Sequence, residues 1–199
     1  MAVSANPYDL PINPGHQRNP GWWVMVFVIA TEAMLFVYLL FSYYYLASMS
    51  RTTFATGGPP ALTLVVPNTI ILLASSGTMY WGERGIREGD QRRLRIGMLV
   101  TLILGAVFLT IQGIEYSRKS FDLATNAYGS LFFTITGFHG AHVFVGLLMN
   151  AVVQLWARRD FFSRDRHLAV TNVAMYWHFV DIVWLAVFFS LYITPRLLW

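Results

Sequence analysis

Between Asp122 and Arg158 the chain runs for 35 residues without an Asp, Glu, Lys or Arg. Further charge-poor stretches cover about 22–48, 62–82, 96–116 and 170–194, beside this one at about 128–156. Each reaches or exceeds the roughly 20 residues that cross a bilayer as a helix. Backbone groups in hydrocarbon must satisfy one another, and within a single segment only a helix does so. The sequence therefore predicts an all-α membrane protein, a bundle of five transmembrane helices. The connections leave no room for a soluble domain, and no repeat of 20 to 50 residues appears. Residues 21–199 read as one five-helix domain. Residues 1–20 carry prolines at 7, 11, 14 and 20 and lack the basic start and apolar core of a cleaved signal, so they read as an extended surface arm, with a disordered tail as the alternative.

With five spans the termini lie on opposite sides. Ten basic residues (Arg18, five within Arg84 to Arg95, four within Arg158 to Arg166) fall on one side. Four (Arg51, Arg118, Lys119, Arg196) fall on the other. The richer side is the inner one by the positive-inside rule, which places the N-terminus inside and the C-terminus outside. That placement also accounts for the basic balance without nucleic acid, which is not an expected partner. The Glu83-to-Arg95 segment reads as a solvated loop meeting lipid headgroups, and Gly57 to Pro60 as a turn outside the membrane. Trp22, Trp23, Tyr43 to Tyr45, Tyr80, Trp81, Tyr128, Trp156, Tyr192 and Trp199 read as interfacial belts. Gly137, Gly140 and Gly146 read as points of close helix packing.

The chain has no cysteine, so disulfides and thiolate metal sites are excluded and any metal would need His or carboxylate ligands. No Gly-x-Ser-x-Gly, glycine-rich phosphate loop or His-Glu-x-x-His spacing is present. What remains is a small set of ionisable groups within the spans: Glu32, Glu115, His139, His142, His178 and Asp181. Such groups are costly in hydrocarbon and are functional-site hypotheses by default. At 1.5 Å per residue from the inner ends, Glu32 lies about 15 Å deep, His178 about 12 Å, Asp181 about 17 Å, His142 about 21 Å and His139 about 26 Å. Glu115 falls near the outer surface. A bis-histidine haem needs its ligands level on facing helices, and pairing His178 with His139 leaves a mismatch of about 13 Å. The histidines are therefore expected to be hydrogen-bonded contacts between helices, with His178 and Asp181 able to pair at i, i+3. No catalytic, cofactor-binding or metal-ligating residue is expected. Glu32, His139, His142, His178 and Asp181 form a buried polar layer of structural or proton-related role, and Glu115 stands apart from it. Glu32 suits a proton relay element, an antenna or a structural hydrogen-bond donor.

Several motifs in one order carry a resemblance. They are Thr31-Glu32-Ala33-Met34-Leu35-Phe36, Pro67-Asn68-Thr69 with Leu72-Leu73-Ala74-Ser75-Ser76-Gly77, and Gln112-Gly113-Ile114-Glu115-Tyr116. Tyr128-Gly129-Ser130-Leu131-Phe132-Phe133, Thr136-Gly137-Phe138-His139-Gly140-Ala141-His142-Val143 and Tyr176-Trp177-His178-Phe179-Val180-Asp181-Ile182-Val183-Trp184 follow. From Thr31 onward the chain resembles subunit III of haem–copper oxidases, within them the cytochrome c oxidase branch. Many members have seven helices, and the first two are missing here. Five-helix bacterial members are familiar, and the resemblance implies a bacterial inner-membrane location. The helices that complete the lipid-holding cleft of longer members would come from a partner chain or be absent.

The resemblance also implies an accessory subunit of an aa3-type cytochrome c oxidase without a redox centre of its own, haem and copper residing in partner subunits. It would pack on subunit I, join subunit II and other subunits, support proton uptake and prolong turnover. Cytochrome c is the donor at the level of the complex. Membrane lipid is a further partner, and a bound phospholipid is compatible. Glu32 becomes a carboxyl near the subunit I interface, with His142 or His178 as its partner. A quinol-oxidising or nitric-oxide-reducing relative is the nearest alternative. An independent transporter built on Glu32, His178 and Asp181 is a more distant one, for which neither inverted repeats nor broken helices appear.

Overall fold

A computed structural model describes residues 20–49, 60–119 and 121–198. Apart from Pro20 and Pro60, the arm expected over 1–20 and the turn expected at Gly57 to Pro60 lie outside these residues. The helices are α1 (Pro20–Met49), α2 (Leu62–Arg87), α3 (Gln91–Ser117), α4 (Ala127–Arg158) and α5 (Leu168–Phe188). A π-helical turn, Phe189–Ile193, joins α5 to the short α6 (Thr194–Leu198). Five helical segments are long and apolar enough to cross a membrane, of 30, 26, 27, 32 and 30 residues, the last running through the π turn.

Two helix ends depart from the sequence reading. Glu83 to Arg95 is not a loop: α2 and α3 continue through it, and only Glu88 to Asp90 turn the chain. Charged residues are accommodated there in helical pairs, Arg87 to Glu83 at 2.6 Å and Arg84 to Glu88 at 2.9 Å, both i, i+4. Gly89 takes φ 89°, a left-handed conformation open to glycine. Asp90 then caps α3 by accepting from the Arg93 amide at 3.0 Å. The arginines that mark a side of the membrane thus sit on helix ends, where long side chains reach the interface. The second departure is the π turn, which adds a residue to one helical turn and rotates everything beyond Phe189.

α5 lies at the centre. α2, α3, α4 and α1 form an arc around it in that order, each packing on the next, and α1, α2 and α4 pack on α5 itself. In lipid the burial of apolar surface does not drive helices together, so close packing and hydrogen bonds must. Both are visible. A Cβ on Gly97 would stand 2.7 Å from the Gly82 Cα, so the backbones of α2 and α3 touch at that crossing. Trp177 of α5 fills the middle of the bundle, against Gly146 and Gly105, where an added Cβ would come within 2.9 Å and 2.6 Å of its ring. Its Nε1 donates to Ser75 Oγ at 3.0 Å, and Trp184 Nε1 donates to Thr69 Oγ1 at 3.0 Å. Asn68 and Asn150 donate across helices to the carbonyls of Phe108 and Met98.

Of the three glycines expected at close crossings, only Gly146 is at one. A Cβ on Gly137 meets nothing within 4 Å, and one on Gly140 meets only Leu109, at 3.9 Å. The aromatic belts are also thinner than expected. Trp23, Tyr44, Tyr45, Tyr80, Trp81 and Trp156 are exposed, whereas Tyr43, Tyr128 and Tyr192 are buried and belong to the core.

Candidate functional site: a carboxyl and a histidine in a membrane groove

Glu32 lies thirteen residues into α1 in an apolar neighbourhood, and its Oε2 stands 2.9 Å from Nε2 of His142 on α4. The other ring nitrogen, Nδ1, is 2.7 Å from the Phe138 carbonyl oxygen. A carbonyl only accepts, so Nδ1 carries a hydrogen. One proton is then left for the contact between Oε2 and Nε2. On the carboxyl it makes a neutral acid facing a neutral ring; on the ring it makes a carboxylate facing an imidazolium. Either arrangement has no net charge and fills both atoms, which is how such groups become tolerable in hydrocarbon.

The geometry around the pair is an apolar groove bounded by α1, α4 and α5, with Met25, Val28, Leu35, Val145 and Met149 on its walls and Tyr176 at its edge. Phe36 meets the His142 ring edge-on at 5.0 Å, and Tyr176 Oη donates to the His142 carbonyl at 3.4 Å. The Glu32 side chain remains 36% exposed and that of His142 13%, so the carboxyl can be reached from the groove while the ring is held by protein. Of the two partners foreseen for Glu32, the structure selects His142.

His139 behaves otherwise, and corrects the expectation that it is a hydrogen-bonded contact. It is 1% exposed and neither ring nitrogen has a hydrogen-bond partner. Trp184 of α5 covers it at 4.8 Å between ring centres, with Phe108 of α3 at 5.9 Å and Phe36 of α1 at 6.4 Å. A step of three residues turns a helix by about 300°, so two such side chains share a broad face but point some 60° apart. That rotation separates a ring in the groove from one in the core.

His178 and Asp181 do not pair either. His178 Nδ1 lies 2.6 Å from Ser76 Oγ on α2, and both Asp181 oxygens are enclosed without a hydrogen-bond partner. The expected polar layer is thus two separate contacts, Glu32–His142 between α1 and α4 and Ser76–His178 between α2 and α5. No chain of hydrogen bonds links them among the described residues. Ser76 was legible only as part of a motif, with no hint that it meets His178.

Glu115 is buried at the end of α3. Its Oε1 accepts from Tyr192 Oη at 2.9 Å and meets Lys119 Nζ at 2.7 Å. Lys119 in turn sits over the rings of Phe132 and Tyr192 at 4.8 and 5.4 Å. The i, i+4 spacing of Glu115 and Lys119 was the available signal for the ion pair. Tyr192 reaches it through the π turn, which leaves no mark in sequence periodicity. Outside the spans, Asp122 accepts from the Thr125 hydroxyl and the Ala124 amide, which hold its carboxyl below the usual carboxylate range. Among the described residues no three His, Asp or Glu side chains converge as a metal set.

Known proteins are similar to this sequence. The family model for cytochrome c oxidase subunit III matches residues 17–195. Cytochrome c oxidase subunit 3 of Gadus morhua is 37% identical over 177 residues, covering 84% of this chain and 67% of that protein. The Oncorhynchus mykiss protein matches with the same figures. That of Gallus gallus is 36% identical over 176 residues, with the same coverage.

Proposed function

The chain belongs to the cytochrome c oxidase subunit III family, and on that premise we propose that it serves an aa3-type cytochrome c oxidase as an accessory subunit. In this reading it packs on subunit I beside subunit II. Cytochrome c supplies electrons to the complex, and partner subunits hold the haem and copper that reduce oxygen. This chain contributes no redox centre. Its own contribution is to support proton uptake and to prolong turnover, with the N-terminus inside and the C-terminus outside a bacterial inner membrane. The excess of basic residues at one end of the bundle supports that orientation, and cell fractionation tests the location.

The observation that carries the reading is the Glu32–His142 contact. Oε2 and Nε2 share one proton without a change in net charge, and a carboxyl that is one-third exposed can exchange that proton with a polar group or enclosed water that a partner brings to the groove. Catalysis of proton transfer needs this kind of reach. The groove walls are apolar, and a phospholipid chain is a chemically suitable neighbour for them.

Glu32→Ala in the intact oxidase tests the proposal. The haem spectrum should persist, while assembly or the number of turnovers before inactivation changes. A complex that assembles but has lost its haem spectrum would contradict the absence of a ligand role.

A further inference from the structure

The arc of α2, α3, α4 and α1 leaves one side of α5 open, because α1 and α2 stand at its two ends without substantial contact with each other. Along that opening α5 shows Ile182 and Leu185, exposed by 67% and 42%, and the π turn that follows shows Phe189, exposed by 58%. The wall formed by α2 shows Leu73 and Tyr80, with Gly77 beside them, where an added Cβ would touch nothing within 4 Å. The result is an open trough, floored by one helix and flanked by two. Apolar side chains alone would suit lipid tails. What lipid does not suit is the Ser76–His178 contact at its edge.

His178 uses Nδ1 on Ser76, and its Nε2 has no partner among the described residues although it is not enclosed by them. It lies ten residues beyond the start of α5, about 15 Å along the helix, which is half of a hydrocarbon core of about 30 Å. Headgroups and water do not reach that depth on a lipid-facing surface. An unfilled imidazole site there costs free energy until another polar group meets it. Most polar groups on the other exposed faces are satisfied or lie toward the edge of the hydrocarbon core, as the exposed Tyr38 does, about 27 Å along α1. On α1, the hydroxyls of Thr31 and Ser42 are satisfied by the carbonyls of Val28 and Tyr38. On α3, Thr110 bonds Ala106 in the same way. On α4, the exposed Phe144, Leu148, Val152 and Leu155 are wholly apolar. In the groove, Glu32 Oε2 has His142 while Oε1 stays open among the described residues, so that face holds a second unfilled polar atom, in a pocket between α1 and α4 rather than along the length of a helix.

We infer that the trough on α5 between α1 and α2 is an interface for a transmembrane helix of another subunit, one that brings a hydrogen-bonding side chain level with His178. A helix is the occupant because the opening runs along α5 and is walled by helices. Gly77 lets the visiting backbone approach, as small residues do at helix crossings in membranes. The polar group at mid-depth fixes the register. This inference rests on the proposed membership of a multisubunit oxidase and adds which face makes the contact.

The test uses the whole complex. A photoreactive benzoylphenylalanine replaces Ile182 in the trough and, in separate variants, Leu148 on α4 or Phe27 on α1, and the purified complex is illuminated. The inference expects Ile182 to cross-link to a protein subunit in high yield, with Leu148 giving mainly lipid adducts. A second measurement is His178→Phe against His178→Gln: Phe should weaken retention of this chain during detergent washing at least tenfold, and Gln should restore most of it. Lipid adducts alone from Ile182, or a cross-link to a second copy of this chain, overturn the inference. If Leu148 or Phe27 captures a subunit and Ile182 does not, the complex stands and this face is the wrong one. If the chain purifies without partners and captures none, the reading of the complex fails first.

Discussion

His139 and His142 stand three residues apart on α4, in the same motif and the same apolar span, and they have opposite fates. His142 has both ring nitrogens engaged, by Glu32 and by the Phe138 carbonyl. His139 has neither engaged and is enclosed by Trp184, Phe108 and Phe36. The contrast extends along the helix. On the inward side Gly146 admits Trp177 and Asn150 bonds Met98; on the other, Phe138, Ala141 and Val145 line a groove. An ionisable residue type inside a membrane therefore does not define a role. The direction it faces on the helix does, because one direction meets packed aromatic rings and the other a space that a second polar group has entered.

The largest effect should come from emptying the inward side. His139→Ala leaves a cavity among large rings and should cost about 3 kcal/mol of stability, read as a lowered midpoint in thermal unfolding of the detergent-solubilised complex. His139→Phe removes two unsatisfied nitrogens while keeping the ring, and should be close to neutral. A large loss with Phe would show that a ring nitrogen matters, and the contrast with His142 would break. Next, Gly146→Ala places a Cβ 2.9 Å from the Trp177 ring and should destabilise by about 1–2 kcal/mol. Ala141→Val on the groove side should stay within about 0.5 kcal/mol.

On the groove side, a double-mutant cycle of Glu32→Leu and His142→Phe, each of which removes the hydrogen bond, should return a coupling of about 1 kcal/mol, the scale of interhelical hydrogen bonds in membranes. Zero coupling would make the 2.9 Å contact incidental. The smallest effect belongs to the α2–α3 turn, where Arg84 and Arg93 hold the Glu88 carboxyl below the usual carboxylate range. A depressed value means that the interaction contributes above the ordinary carboxylate range and is lost as pH falls through the folded value. Glu88→Gln should therefore cost little at neutral pH, and its difference from the parent should vanish under acid. A difference that grew on acidification would reverse the assignment.

The five spans were legible because the cost of charge in hydrocarbon writes itself directly into composition. Their inner ends were less so, since Arg84, Arg87 and Arg93 are compatible with either a loop or helix ends that snorkel, and the Gly89 turn is only three residues long. Glu32 and His142 were both readable as candidates, and helical rise brought them to a similar level within the tilt of a long fourth helix. The choice of His142 over His178 needed the rotation of α1 against α4, which periodicity in a nearly uniform apolar run does not reveal. Tyr192 was least legible: a π turn moves it from an expected interfacial position onto buried Glu115. Trp177 and Trp184 were legible only as members of a motif, with no sign that their indole nitrogens reach Ser75 and Thr69.

Purifying this chain by affinity from its native membrane, and then stripping it from whatever it carries, tests the central claim most directly. The account predicts that haem a and copper co-purify with it and that, after separation, the reduced-minus-oxidised haem spectrum remains entirely with the partner subunits. Haem bands that follow the isolated chain, or a stable chain that brings no partner at all, would contradict it.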